Sequence, residues 1–237
     1  YVALYLGADE QLPPDLIASV RGFKYSLSIV DDEDWLHKWE EYYVPFEIAP
    51  GIVIKPLWRE YDPKGGELVI EIDPGLAFGT GSSPTTYLAA RLLCEHLEPG
   101  SLVVDVGCGT GILSLLASKL GAKSVLALDV DPEALRSTQL NAGLNGCSNI
   151  DVRKNDLLGG ISVSADVIMA NLTAPLIMRL LGDAGRCCRA GETLLITSGI
   201  IDDMEEPCLK ALKKSGFEPL KVIRDDCWSA VVSVFRG

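Results

Sequence analysis

The sequence predicts an α/β protein, a mostly parallel sheet with helices on both faces and a small α+β module ahead of it. Three observations carry that reading. From Leu102 onward, short apolar runs alternate with segments of helical period, an order that builds a parallel sheet. The first of those runs, Leu102–Val106, is largely apolar on both faces, as a strand buried between two helical layers must be. Near the C-terminus the runs Pro219–Arg224 and Ser229–Phe235 are separated by a very short link. They read as a hairpin that inserts an antiparallel strand.

The elements follow in chain order. Strands at Val2–Leu6 and Lys24–Val30 with a helix over Pro14–Val20 make residues 1–30 a partial α+β module. Asp31, Asp32, Glu33 and Asp34 open a helix, because carboxylates favour a first turn. Trp35 and Trp39 share one face of it, as a packing anchor or a substrate contact. Phe46–Ile48, Ile52–Lys55 and Leu68–Ile72 read as short strands, with turns at Pro50-Gly51 and Pro63–Gly66. Residues 31–65 are thus a linker helix with short strands, and residues 66–237 the main domain.

A glycine-rich loop, Asp73–Gly81, leads to a helix from Pro84 to about Leu97, with Ser83 suited to its N-cap and Pro84 to its first position. Strand Leu102–Val106 is followed by helix Ile112–Leu120, and strand Ser124–Asp129 by helix Pro132–Leu144. Strands Ile150–Lys154 and Val167–Ala170 precede helix Ala174–Cys188; strand Thr193–Ser198 precedes helix Met204–Ser215 and the hairpin.

Composition narrows the function. A chain of 237 residues, 48% hydrophobic and 23% charged, buries a core of ordinary size. No apolar run reaches the ~18 residues of a membrane span, and no leader peptide is visible. A cytoplasmic protein is expected, and a chain opening at Tyr1 reads as a fragment. The net charge of −12 disfavours nucleic-acid backbones and suits a basic protein partner, or simple solubility. Seven cysteines without a C-x-x-C pair point to reduced thiols, with Cys187 and Cys188 in packing roles. With only His37 and His96 as imidazoles, no metal cluster is expected.

The chemistry gathers in LVVDVGCGTG, Leu102–Gly111. Gly107, Gly109 and Gly111 follow a strand and open a helix, so the backbone turns tightly and a ligand can approach it. The spacing is G-x-G-x-G rather than the G-x-G-x-x-G of a dinucleotide site. Asp105 adds an acceptor for an amino-bearing ligand. Asp129, at the end of the next strand, suits a ribose diol; the alternative is a turn in which Asp129 and Asp131 cap the helix at Pro132. Asp156 is placed to accept from an adenine amino group, or to cap its loop. Asn171, a polar amide at the tip of an apolar strand, could orient an incoming amine or turn the chain into the next helix.

The glycine turn resembles motif I of S-adenosylmethionine-dependent methyltransferases. DPGLAFGTGSSPTT, VDVGCGTG, ALDVDPEAL, DVIMANL and the late SGI…GF…W pattern together resemble the ribosomal protein L11 methyltransferase family over about residues 30–237. The resemblance implies a seven-stranded, Rossmann-like methyltransferase sheet with a C-terminal antiparallel hairpin. It implies methyl transfer from S-adenosylmethionine to lysine and N-terminal amines of a large-subunit ribosomal protein, and an N-terminal domain that recognises it. It also implies donor contacts at Thr86, Gly107, Asp129 and Asn171, with Phe78 and Thr80 near the methyl group. This chain departs from the family in Ser83, where the family usually has His, and in a short N-terminal part. Other readings of the same residues are a small-molecule methyltransferase, a donor-binding relative without catalysis, and a dehydrogenase, which the glycine spacing and the hairpin oppose.

Overall fold

The computed structural model describes residues 43–74 and 81–237. The expected N-terminal module, the Trp35–Trp39 helix and the residues Phe78 and Thr80 lie outside the described residues. The chain divides between Val44 and Pro45, and every strand and helix named below belongs to the unit Pro45–Gly237.

β1 (Phe46–Ala49) and β2 (Ile52–Pro56) are antiparallel, joined at Pro50-Gly51, where Gly51 takes a φ of 73° that suits glycine. β3 (Leu68–Ile72) pairs parallel to β2, Ile52 opposite Leu68. Ile48, Ile54, Ile70 and Ile72 are fully buried in this small sheet. The expected linker and the expected main domain therefore share it: β1 and β2 come from one, β3 from the other.

α1 (Pro84–His96) starts where the sequence places it. The Ser83 hydroxyl accepts from the Thr86 N–H at 3.3 Å, and Pro84 needs no partner in the first turn. Then come β4 (Leu102–Val106), α2 (Ile112–Lys119), β5 (Ser124–Asp129), α3 (Pro132–Leu144), β6 (Ile150–Lys154), β7 (Val167–Asn171) and α4 (Ala174–Ala184). β8 (Leu194–Ile201), α5 (Asp202–Lys214), β9 (Phe217–Asp225) and β10 (Trp228–Phe235) complete the chain. The seven strands run in the order β6-β5-β4-β7-β8-β10-β9. β4 to β8 are parallel, and β10 lies antiparallel between β8 and β9, so the expected hairpin inserts the expected strand.

Strand alternation assigns the two faces. Val104 and Val106 of β4 join the core built with Ile177, Leu180 and Leu181 of α4 and Cys208 and Leu212 of α5. Asp105, between them, points to the opposite face and α2. Among the described residues, no helix is long and apolar enough to cross a membrane.

Some boundaries differ from expectation for local reasons. α4 stops at Ala184 and tightens into a 3₁₀ turn, Gly185–Cys187, instead of running to Cys188. β8 continues past Ser198 because Gly199, at φ 87°, bulges out of register with β10. α5 begins at Asp202 rather than Met204, its first turn carrying Asp202, Asp203 and Glu205 at the positive end of the helix dipole. Pro219 is accommodated inside β9 because that strand is an edge.

Candidate functional site

The chain steps outward from β4 to β5 and β6, then returns to the other side of β4 for β7 and β8. The carboxyl ends of β4 and β7 therefore flank the switch in strand order, where open α/β sheets leave a crevice for ligand. The turn Gly107–Gly111 follows β4 and Asn171 ends β7.

The turn is held from below by β5. The Gly107 and Cys108 N–H groups both donate to the Leu128 carbonyl, at 2.7 and 3.0 Å. Gly107 has φ 75°, and a Cβ there would lie 2.5 Å from Leu172 Cδ2, so glycine alone fits without displacing that side chain. Gly111 has φ 82° and caps α2; a Cβ on it would meet the Thr138 side chain at 2.8 Å.

Asp129 braces the turn and faces the crevice at the tip of β5. Its Oδ2 accepts from the Gly109 N–H at 3.1 Å and its Oδ1 from the Asp131 N–H at 3.0 Å. Each oxygen has further acceptor capacity, the acceptor set that a vicinal diol requires. Helix capping falls instead to Asp131, whose Oδ1 accepts from the Glu133 N–H at 2.9 Å. Asp131 thus caps α3, and Asp129 braces the glycine turn.

Asp105 lies under the turn rather than on its surface. It is 1% exposed, and its Oδ2 accepts from the Ser114 hydroxyl at 2.6 Å. Burial pushes its pKa up to about 6 against the opposing pull of the Ser114 hydrogen bond. In this arrangement it supports the strand end and offers no open oxygen to a ligand. Burial also pushes the Cys108 thiol well above its ordinary value, so the cysteine inside the turn is not a thiolate nucleophile.

Asp156, after β6, is exposed and paired with Arg179 of α4. Its neighbour Leu157 takes φ 49°, a conformation costly for a branched side chain. The Asn155 carboxamide holds that turn, donating to the Leu157 carbonyl at 2.9 Å. Nothing in the local sequence marks Leu157 as strained.

Asn171 and Thr86, far apart in sequence, meet. Asn171 Nδ2 donates to Thr86 Oγ1 at 3.1 Å, and Thr86 Oγ1 lies 3.0 Å from the Ser83 hydroxyl. Thr86 is 1% exposed. Asn171 Oδ1 lies toward Gly199, 3.3 Å from where a Cβ on that residue would stand. Ser83 is doubly engaged, as cap of α1 and as the outer member of this chain of polar groups. With Ser83 at this position, Thr86 Oγ1 contacts both the Ser83 hydroxyl and the Asn171 amide.

The model of the ribosomal protein L11 methyltransferase family matches residues 10–236. The chain belongs to that family. A ribosomal protein L11 methyltransferase of Clostridium botulinum is 44% identical over 207 residues, covering 87% of this chain and 66% of the relative. That of Brevibacillus brevis is 41% identical over 252 residues, covering all of this chain and 80% of the relative. A crystal structure titled ribosomal protein L11 methylase, from Lactobacillus delbrueckii subsp. bulgaricus, superposes with a TM-score of 0.77 at 32% identity. It covers 82% of this chain and the whole of that one. This family member spans just under two thirds of its Clostridium relative's length. A separate hollow of about 640 Å³, lined by Lys55, Trp58, Arg59 and Asp62 among others, involves none of the site residues.

Proposed function

We propose that this chain is an S-adenosylmethionine-dependent methyltransferase of ribosomal protein L11, transferring methyl groups to lysine or N-terminal amines in the cytoplasm. The observation that carries the reading is the meeting, at one switch point, of a glycine turn braced by Asp129 with an Asn171 amide fixed by Thr86. The residues fit a nucleoside-bearing donor: Asp129 keeps acceptor capacity on both oxygens, and the turn has no side chain at Gly107 or Gly111. In this reading Asp156 and the Leu157 turn face the purine, while Asp105 acts through the turn it supports.

When bound, S-adenosylmethionine supplies a methyl group on a sulfonium sulfur, already electrophilic enough to need no metal. The chain's part is alignment. Asn171 Oδ1 accepts a hydrogen bond from the incoming amine and points the nitrogen lone pair along the displacement line, which makes proximity the main catalytic effect. The family resemblance implies that Phe78 and Thr80 lie near the transferred methyl group. The amine loses a proton to water before it attacks. The Ser83 hydroxyl is not a base near neutral pH, and it serves here by holding Thr86 in place. The acidic surface, −12 overall, suits a basic protein substrate.

Isothermal calorimetry tests donor recognition directly. S-adenosylhomocysteine is expected to bind in the micromolar range or tighter, and NAD not to bind. Binding of NAD but not of S-adenosylhomocysteine would return the site to the dehydrogenase reading.

A further inference from the structure

Helix α3 carries a polar stripe on the face it turns toward the protein. Thr138 and Asn141 are 0% exposed, and Asn145, just past the helix, continues the same face. Residues at this spacing lie one above another, where apolar side chains are the rule. Every one of the three is engaged with backbone outside the helix. Thr138 Oγ1 donates to the Gly109 carbonyl at 2.9 Å. Asn145 accepts from the Glu71 N–H at 2.9 Å and donates to the Glu71 carbonyl at 2.6 Å.

Asn141 does the same for Asp73, accepting from its N–H at 2.8 Å and donating to its carbonyl at 3.0 Å. Glu71 and Asp73 alternate along one edge of β3 and its continuation. The two carboxamides therefore stand in for a neighbouring strand, each offering one donor and one acceptor to one residue. Asn141 differs from Asn145 in one respect. Its Nδ2 also donates to the Thr110 carbonyl, at 2.9 Å, inside the glycine turn. One buried carboxamide thus joins two backbone segments remote in sequence: Asp73, where the chain leaves β3, and the turn that carries Gly109 and Gly111. Its two carbonyl partners and one N–H partner fix which way the amide points.

We propose that Asn141 is a positioning residue for methyl transfer, setting the spacing between the backbone at Asp73 and the donor-binding turn at Thr110. The proposal rests on the methyltransferase reading and extends it to a residue that touches neither donor nor acceptor. Asn145 ties α3 to β3 alone, so it is the natural control: both residues contribute to stability, and only Asn141 couples to the turn.

The test compares Asn141→Leu and Asn145→Leu, both close in shape to the original, in the full chain. The readouts are thermal midpoint, steady-state kinetics with S-adenosylmethionine and ribosomal protein L11, and amide hydrogen exchange. Both variants should melt earlier than wild type. Only Asn141→Leu should lower kcat, by ~10-fold or more given the steep cost of misalignment, with KM for S-adenosylmethionine within a few-fold of wild type. Only Asn141→Leu should speed exchange in residues 107–111. Should Asn141→Leu not fold, Asn141→Asp keeps the acceptor for the Asp73 N–H and loses the donors to the Asp73 and Thr110 carbonyls, and the same fall in kcat is expected. Equal kcat in the Asn141 and Asn145 variants, beside an active wild type, overturns this inference alone. A wild-type protein that transfers no methyl to L11 overturns it together with the reading it rests on.

Discussion

Asp129 shows how much of the site a single side chain carries. Its two oxygens hold the Gly109 and Asp131 amides and keep capacity for a diol. Asp129→Ala should weaken S-adenosylhomocysteine binding by about 1.5–3 kcal/mol, the scale of charge-assisted hydrogen bonds. Calorimetry on a variant whose circular dichroism matches wild type measures it, and unchanged affinity would remove Asp129 from the donor site. Asp105 makes a different prediction. Its folded-state pKa, about 6, lies above the ordinary 3.8. The stability it contributes is therefore complete below about pH 4 and is lost as pH rises through 6. Asp105→Asn can still accept from Ser114 and has nothing to ionise. Its stability relative to wild type should rise by about 3 kcal/mol between pH 4 and 7, read by urea denaturation at each pH. Parallel pH curves for the two proteins would show that the buried carboxyl does not titrate in this range. The sequence identified both aspartates but not their division of labour. Asp105 is read as a ligand acceptor only until its burial is seen, and burial depends on the packing of α2 over β4.

At the scale of elements, periodicity was sufficient where the chain is regular. β4, β5, α3 and β6 begin and end where their apolar patterns do. It failed where a tertiary contact overrides the local pattern. Ser198-Gly199 reads as a strand end, yet β8 runs on through a bulge at Gly199, which approaches the backbone of Leu172 just past β7. A Cβ at Gly199 would lie 2.5 Å from the Leu172 carbonyl oxygen and 3.3 Å from Asn171 Oδ1. Gly199→Ala should therefore destabilise the protein by about 1–3 kcal/mol, the usual cost of strained backbone, and should displace Asn171. A denaturation midpoint equal to wild type would show that the bulge is not needed. The stripe of Thr138, Asn141 and Asn145 was equally hidden. In sequence it is an ordinary run of polar residues on a surface helix; only the close approach of β3 and the glycine turn makes it an interior one.

At the scale of the molecule, the alternation of strands and helices made the sheet legible and the hairpin made its antiparallel strand legible. Strand order was not legible in the sequence, because nothing local states on which side of β4 the chain returns. That order brings the tips of β4 and β7 together and creates the crevice. Likewise, the contact of Asn171 with Thr86 spans the central sheet and α1 and has no local signature. In the proposed function this crevice aligns an amine of ribosomal protein L11 with a methyl donor. The most direct measurement is transfer of tritiated methyl from S-adenosylmethionine to purified L11, by wild type and by Asn171→Ala, beside calorimetry with S-adenosylhomocysteine on the same preparations. An aligning group acts mainly in the transition state. Wild type is expected to label L11, and Asn171→Ala to keep donor affinity within a few-fold while turning over ~100-fold more slowly. Absence of label on L11 with wild type, or full turnover by Asn171→Ala, would contradict that claim.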